Sequence, residues 1–147
     1  MKIAIVAANG KAGQLIVKEA LAQGLDVTAI VRHTNHSLAQ RVIEKDLFDL
    51  TRDDLAGFDA VVDAFGAWTP ETLPLHSSSL KHLCDTLSGT KVRLLVVGGA
   101  GSLYTDKPHT LQLVDTPDFP SAFKPLATAM GKALTELRSR SDVNWTY

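Results

Sequence analysis

The sequence predicts an α/β domain, a doubly wound parallel sheet held between two layers of helices, and three observations predict it. Short, continuously apolar runs rich in β-branched residues recur along the chain, the pattern of strands covered on both faces. Stretches with helical apolar spacing separate these runs. The first run passes through a glycine-bearing turn straight into a helix. Such alternation implies right-handed crossovers and a three-layer α/β/α architecture.

Ile3 to Ala7 is the first strand, and Leu15, Ile16, Ala20 and Leu21 then recur at helical spacing up to Gly24, a natural stop. Val27 to Val31 is the second strand. Val42-Ile43 begins a short third strand that ends near Asp46. Thr51 has the character of an N-cap for a single turn of helix, with Asp53 and Asp54 suited to its positive end. Ala60 to Phe65 is the fourth strand. A helix over Leu75 to Leu87 presents Leu80, Leu83, Cys84 and Leu87. Val92 to Val97 is the fifth strand and runs into Gly98-Gly99-Ala100-Gly101. After a proline-marked loop, Leu126, Ala127, Met130, Ala133, Leu134 and Leu137 follow an amphipathic helical rhythm. Val143 to Tyr147 opens a sixth strand. The expected strand order is 3-2-1-4-5-6, Rossmann-like, with a ligand crevice between strands one and four where the order reverses.

A length of 147 residues suits a single domain over 1–147. The chain stops in or just after a strand, so a C-terminal substrate-binding portion is expected to lie outside it. A net charge of −1 argues against a broad basic face for nucleic acid or anionic lipid. The one cysteine, Cys84, falls on an apolar helix stripe and reads as a core thiol. The N-terminal apolar run is too short for a signal peptide, and no run approaches the ~20 residues of a membrane span. A cytoplasmic location is the default expectation.

The chemistry concentrates in Ala7-Ala8-Asn9-Gly10-Lys11-Ala12-Gly13. Between a buried strand and a helix, Gly10 lets a pyrophosphate approach the backbone, and Gly13 lets the helix sit close to the strand. The free N–H groups and dipole of that helix suit phosphate. Ala7 stands where a first glycine is usual. Arg32 ends the second strand about 20 residues further on, where a carboxylate would bind the ribose of NAD and an arginine suits the 2′-phosphate of NADP. NADP(H) is therefore the expected cofactor, with NAD(H) the alternative. Asp46-Leu47 closes the third strand and either flanks the adenine, through the Asp46 side chain or the Leu47 backbone, or simply starts a loop. Ala64-Phe65-Gly66 would pass beneath ribose and nicotinamide, and Gly98-Gly99 closes the fifth strand on the same edge. His33 and His36 read as loop residues, His76 and His82 as structural ones. Trp68 either stacks on an acceptor ring or covers the sheet edge.

With those residues in view, the sequence resembles the atypical short-chain dehydrogenase/reductases, in their NAD(P)H-binding, NmrA-like and NADH-flavin-reductase-like branch. The resemblance spans essentially the whole chain and is most specific at Ala7–Gly13, Val31-Arg32, Lys45–Asp49, Asp63–Gly66 and Val97–Leu103. Members of that branch normally continue roughly 60 residues past the sixth strand, supplying part of the substrate pocket. The resemblance implies hydride transfer from NAD(P)H to an aromatic acceptor, a flavin or quinone-like small molecule, and leaves homodimer formation open. The Tyr-x-x-x-Lys pair of ordinary short-chain dehydrogenases is replaced by Thr128-x-x-x-Lys132. That argues against alcohol–ketone chemistry, whereas reduction of a flavin needs less acid/base help. Ser102 and Tyr104 are the candidates to contact an acceptor or protonate a product. A non-catalytic module that senses NADP(H) and signals to a partner is the alternative reading. An isomerase comes third, for want of an acid/base pair.

Overall fold

The computed structural model describes Met1–Tyr147. Six strands, β1 (Lys2–Val6), β2 (Asp26–Val31), β3 (Arg41–Glu44), β4 (Ala60–Asp63), β5 (Arg93–Val96) and β6 (Asn144–Thr146), form one sheet in the order β3-β2-β1-β4-β5-β6. Every pairing is parallel, with Ile5 opposite Ala29 on one side and Val62 on the other. The order reverses between β1 and β4, as the sequence predicts.

Alternation along the strands divides the core in two. One face carries Ala4, Val6, Val61 and Leu94 and is covered by α2 (Arg52–Leu55), α3 (Leu75–Leu87) and α4 (Lys124–Arg138), through Leu55, Leu80, Leu83, Leu87, Ala133 and Leu137. The other carries Ile3, Ile5, Ala29 and Val62 and is covered by α1 (Lys11–Ala22), through Val17 and Ala20. Cys84 lies in the first layer, and burial pushes its thiol up to about 11, so it stays an inert part of the core.

α2 carries the N-cap expected of Thr51. Its hydroxyl accepts from the Asp54 N–H, and the Asp54 carboxylate accepts from the Thr51 N–H at 2.8 Å. A salt bridge from Lys45 at 2.8 Å holds the Asp54 carboxyl well below its ordinary range, at about 2. α1 departs from the expected pattern. Its buried stripe is Gly13, Val17 and Ala20, while Leu15 is 67 % and Leu21 37 % exposed. Small residues face the sheet because α1 leaves β1 through a tight turn and must lie close to it. No helix is long and apolar enough to cross a membrane.

Candidate functional site

The turn after β1 is built from backbone constraints. Ala7 adopts a left-handed conformation with φ 57°, and the Gly10 N–H closes the turn onto the Ala7 carbonyl at 2.9 Å. A Cβ on Gly13 would lie 2.4 Å from that carbonyl oxygen and 2.8 Å from the Ala8 Cα. Both obstacles are main chain, so only glycine fits there. At Gly10 a Cβ would meet only the Ala7 oxygen, at 3.2 Å. Gly10 is exposed, and a side chain there would occupy the space from which a ligand reaches the helix.

α1 begins at Lys11 with Gly10 as N-cap, without a side-chain cap and without an acidic residue in its first turn. The first N–H groups of a helix have no partner inside it, so those of Lys11, Ala12 and Gly13 are left for an anion at the positive end of the dipole. This donor set fits a dinucleotide's pyrophosphate. Lys11 and Arg32 are exposed, and the chain's ion pairs engage other cations, namely Arg41, Lys45, Lys81, Lys132 and Arg140.

Asn9 is occupied differently from what its place in the turn suggests. Its Nδ2 donates to the Thr34 carbonyl at 2.9 Å, and its Oδ1 accepts from the His36 N–H at 2.7 Å. Both ends of the amide are spent on the loop after β2. At the end of β3, the Asp46 carboxylate caps a short 3-10 turn by accepting from the Phe48 N–H at 2.9 Å. The Leu47 side chain is buried in the core, which leaves its backbone for any adenine contact.

At β4, Ala64 and Phe65 are half-buried and Gly66 is exposed. The preceding residue, Asp63, escaped the sequence reading as a site residue. Its carboxyl is buried beside a cavity of ≈ 20 Å³ shared with Phe65, His76, Ser79, Met130 and Tyr147. Burial raises its pKa to about 6, against the opposing effect of the Phe65 N–H, which donates to Oδ1 at 3.0 Å. The sequence signal available was a charged residue ending an otherwise apolar strand. His76 donates from Nε2 to the Ala67 carbonyl at 3.0 Å, and His82 from Nε2 to the Leu50 carbonyl at 3.0 Å, structural roles in both cases.

The loop after β5 turns inward. Gly98 lies under the Tyr147 ring, where a Cβ would come within 2.1 Å of Cε1, and the Gly99 N–H donates to the Tyr147 hydroxyl at 3.4 Å. That hydroxyl donates in turn to the Met130 carbonyl at 3.4 Å, and burial raises its pKa. Ser102 donates to the Gly99 carbonyl at 3.3 Å. Tyr104 stacks on His109 at 4.9 Å between ring centroids and bridges to Gln112 across a small antiparallel turn. Ser102 also lines an open pocket of ≈ 230 Å³ along α4, with Gln112, Asp115, Thr128, Thr135 and Arg138.

A family model described as NAD(P)H-binding matches residues 7–147. The Bacillus subtilis protein YwnB is 47% identical over 150 residues, covering 100% of this chain and 70% of that protein. A Streptococcus pneumoniae protein described as "a putative NADH-flavin reductase" is 59% identical, with a TM-score of 0.95 over 99% of this chain and 69% of its own. A short-chain dehydrogenase/reductase superfamily protein from Agrobacterium tumefaciens, solved with bound NAD, shares the fold at 20% identity and a TM-score of 0.65, over 97% of this chain and 46% of its own. With the Ala7–Gly13 turn at the reversal point of the sheet, these matches show that the chain belongs to the NAD(P)H-binding family.

Proposed function

We propose that this chain is a cytoplasmic NADPH-dependent reductase that delivers hydride to a flavin- or quinone-like small molecule. The observation that carries the acceptor class is the composition of the carboxyl edge beside the phosphate turn. The loops leaving β4 and β5 there expose large apolar side chains, Trp68 at 75 %, Leu103 at 62 % and Phe123 at 57 %, together with Val97 and Leu111. Such a rim suits a flat aromatic ring better than a polyhydroxylated substrate. It also agrees with the description carried by the Streptococcus pneumoniae relative.

In this reading the N–H groups of Lys11, Ala12 and Gly13 hold the pyrophosphate, and Arg32 meets the 2′-phosphate. Bound NADPH supplies the hydride. Ala64, Phe65 and Gly66 support the nicotinamide side, and Trp68 covers the acceptor and excludes water. Ser102 and Tyr104 are the proposed polar contacts to the acceptor.

Steady-state NADPH oxidation in the presence of FMN, FAD, riboflavin and quinones tests the proposal. Turnover with any of them is expected; none, from a folded sample that binds NADPH, overturns it. Arg32→Asp is expected to weaken NADPH by about 10- to 100-fold, the equivalent of a lost charge-assisted contact, while NADH changes little. Equal losses for both nucleotides would remove Arg32 from the 2′-phosphate site.

The non-catalytic alternative, an NADP(H)-sensing module, is favoured by one observation. The Ser102 hydroxyl donates to the Gly99 carbonyl and the Tyr104 ring stacks on His109, so both candidate side chains are already engaged within the loop. Nucleotide binding without turnover, coupled to a change in affinity for a protein partner, would select it.

A further inference from the structure

We infer that Asn9 is a specificity-positioning residue, one that sets the choice between phosphorylated and unphosphorylated dinucleotide by tying the phosphate turn to the loop that carries Arg32. The inference rests on the reading of Arg32 as the 2′-phosphate contact. It adds a residue that has no need to touch the nucleotide.

The loop between β2 and β3, Arg32 to Gln40, has no regular secondary structure of its own. Its far half is held from within. The Asn35 carbonyl oxygen Oδ1 accepts from the Ser37 N–H at 2.9 Å and from the Ser37 hydroxyl at 2.7 Å. Its Nδ2 donates to the Ala39 carbonyl at 2.9 Å, beside the buried Ala39 side chain. Its near half, which Arg32 and His33 begin, is held from outside, by Asn9. The two Asn9 bonds fall on either side of Asn35, one to the Thr34 carbonyl and one from the His36 N–H, so the amide fixes position and orientation together. Asn9 is itself fixed, because the Gln14 Nε2 donates to its backbone carbonyl at 2.8 Å. The chain of bonds thus runs from the first turn of α1, through Asn9, to the backbone of Thr34 and His36 in the loop that Arg32 begins.

The chemistry explains why the side chain is an amide. One group must donate and the adjacent one accept, which asparagine does and aspartate does not. Aspartate would also bring a negative charge to a place meant for phosphates. Arg32 is an exposed, unpaired side chain with many rotamers, so its value to a 2′-phosphate depends on where its backbone is held beforehand. A nucleotide lacking that phosphate does not use this preorganisation. Loosening the loop therefore penalises NADPH and spares NADH.

Calorimetric titration with NADPH and NADH, on the unaltered chain and on Asn9→Ala, Asn9→Asp and Arg32→Ala, reads the prediction. Amide hydrogen exchange on the nucleotide-free proteins reads the tether directly. Asn9→Ala is expected to speed exchange at His36 and to weaken NADPH about tenfold, as befits two modest hydrogen bonds, with NADH within about twofold. Asn9→Asp, which keeps the acceptor for His36 but loses the donor to Thr34, is expected to weaken NADPH at least as much. A purely structural Asn9 would lower both affinities alike, or neither, and that result overturns the inference while Arg32→Ala remains selective. Unchanged exchange at His36 also overturns it. If Arg32→Ala leaves the NADPH-to-NADH ratio unaltered, the reading of Arg32 fails first and this inference falls with it.

Discussion

Two glycine-bearing loops leave the carboxyl edge of the sheet, after β1 and after β5, and they use glycine for opposite purposes. In the first, the exposed Gly10 leaves the backbone open toward solvent, and the buried Gly13 lets the helix begin there. Gly13 brings α1 down onto Ala7 and Ala8, and the helix then presents uncapped N–H groups outward. In the second, the glycines make room for the protein itself. A Cβ on Gly98 would meet the Tyr147 ring, one on Gly99 the Met130 sulfur at 3.0 Å, and one on Gly101 the Ala127 Cβ at 2.8 Å. The first loop is shaped for a ligand and the second for packing. Glycines cluster in both, so their presence alone does not say which purpose is served.

The contrast predicts how each loop breaks. Gly13→Val should have the largest effect, because the obstacles are main-chain atoms that cannot step aside. We expect a loss of about 3 kcal/mol or more in urea unfolding, together with loss of both NADPH and NADH binding. A stable, nucleotide-binding Gly13→Val protein would refute the close approach of α1 to β1. Gly98→Ala should cost about 2 kcal/mol, since the obstacle is a side chain held by two long hydrogen bonds. Its cost should shrink to a few tenths of a kcal/mol in a Tyr147→Ala background, where the ring is gone. A double-mutant cycle with no coupling would show that Gly98 is there for some other reason.

The part of this contrast legible in the sequence was the part written locally. Ala7 to Gly13 sits in one unbroken stretch between a strand and a helix, and the parallel α/β class follows from the alternation of apolar runs. The fate of Gly98 depends on Tyr147, at the far end of the chain, and no local pattern encodes that contact. Asn9 was legible as a turn residue but not as a tether, because its partners are backbone groups of Thr34 and His36, whose side chains carry no signal of the bond. Leu15 misled in the other direction. Apolar character suggested burial, but the closeness imposed by Gly13 favours Val17 and Ala20 on the inner stripe and leaves Leu15 outside.

Asp63 sharpens the same comparison, for it stands in the packed half of the edge, beside the cavity that Tyr147 also lines. Its folded pKa of about 6 lies above the ordinary 3.8, so the folded state holds its proton more tightly than the unfolded state does. Its favourable contribution is complete below about pH 4 and is lost as the pH rises through 6, where a buried carboxylate must form. Asp63→Asn should therefore stabilise the nucleotide-free protein above pH 6 and leave it nearly unchanged at pH 4. At one pKa unit per 1.36 kcal/mol the gain is about 2 kcal/mol, allowing for a water molecule, for which the cavity has room. Equal effects at both pH values in thermal unfolding would mean that Asp63 is already well solvated.

The smallest expected effect belongs to the residue that breaks the glycine pattern of the first loop. Ala7 holds φ 57° with a methyl group in place, a conformation that costs an alanine about 1–2 kcal/mol. Ala7→Gly removes that strain but gives the unfolded chain more freedom, which takes back roughly 0.5–1 kcal/mol. The net should be a gain of under about 1 kcal/mol in urea unfolding, with nucleotide affinity unchanged. The Gly10 N–H would still close onto the residue 7 carbonyl, and the helix would still start at Lys11. A clear loss of stability would instead show that the Ala7 methyl, half-buried beside α1, contributes more through packing than its backbone loses through strain. The turn would then owe its shape to a side chain, as the loop after β5 does.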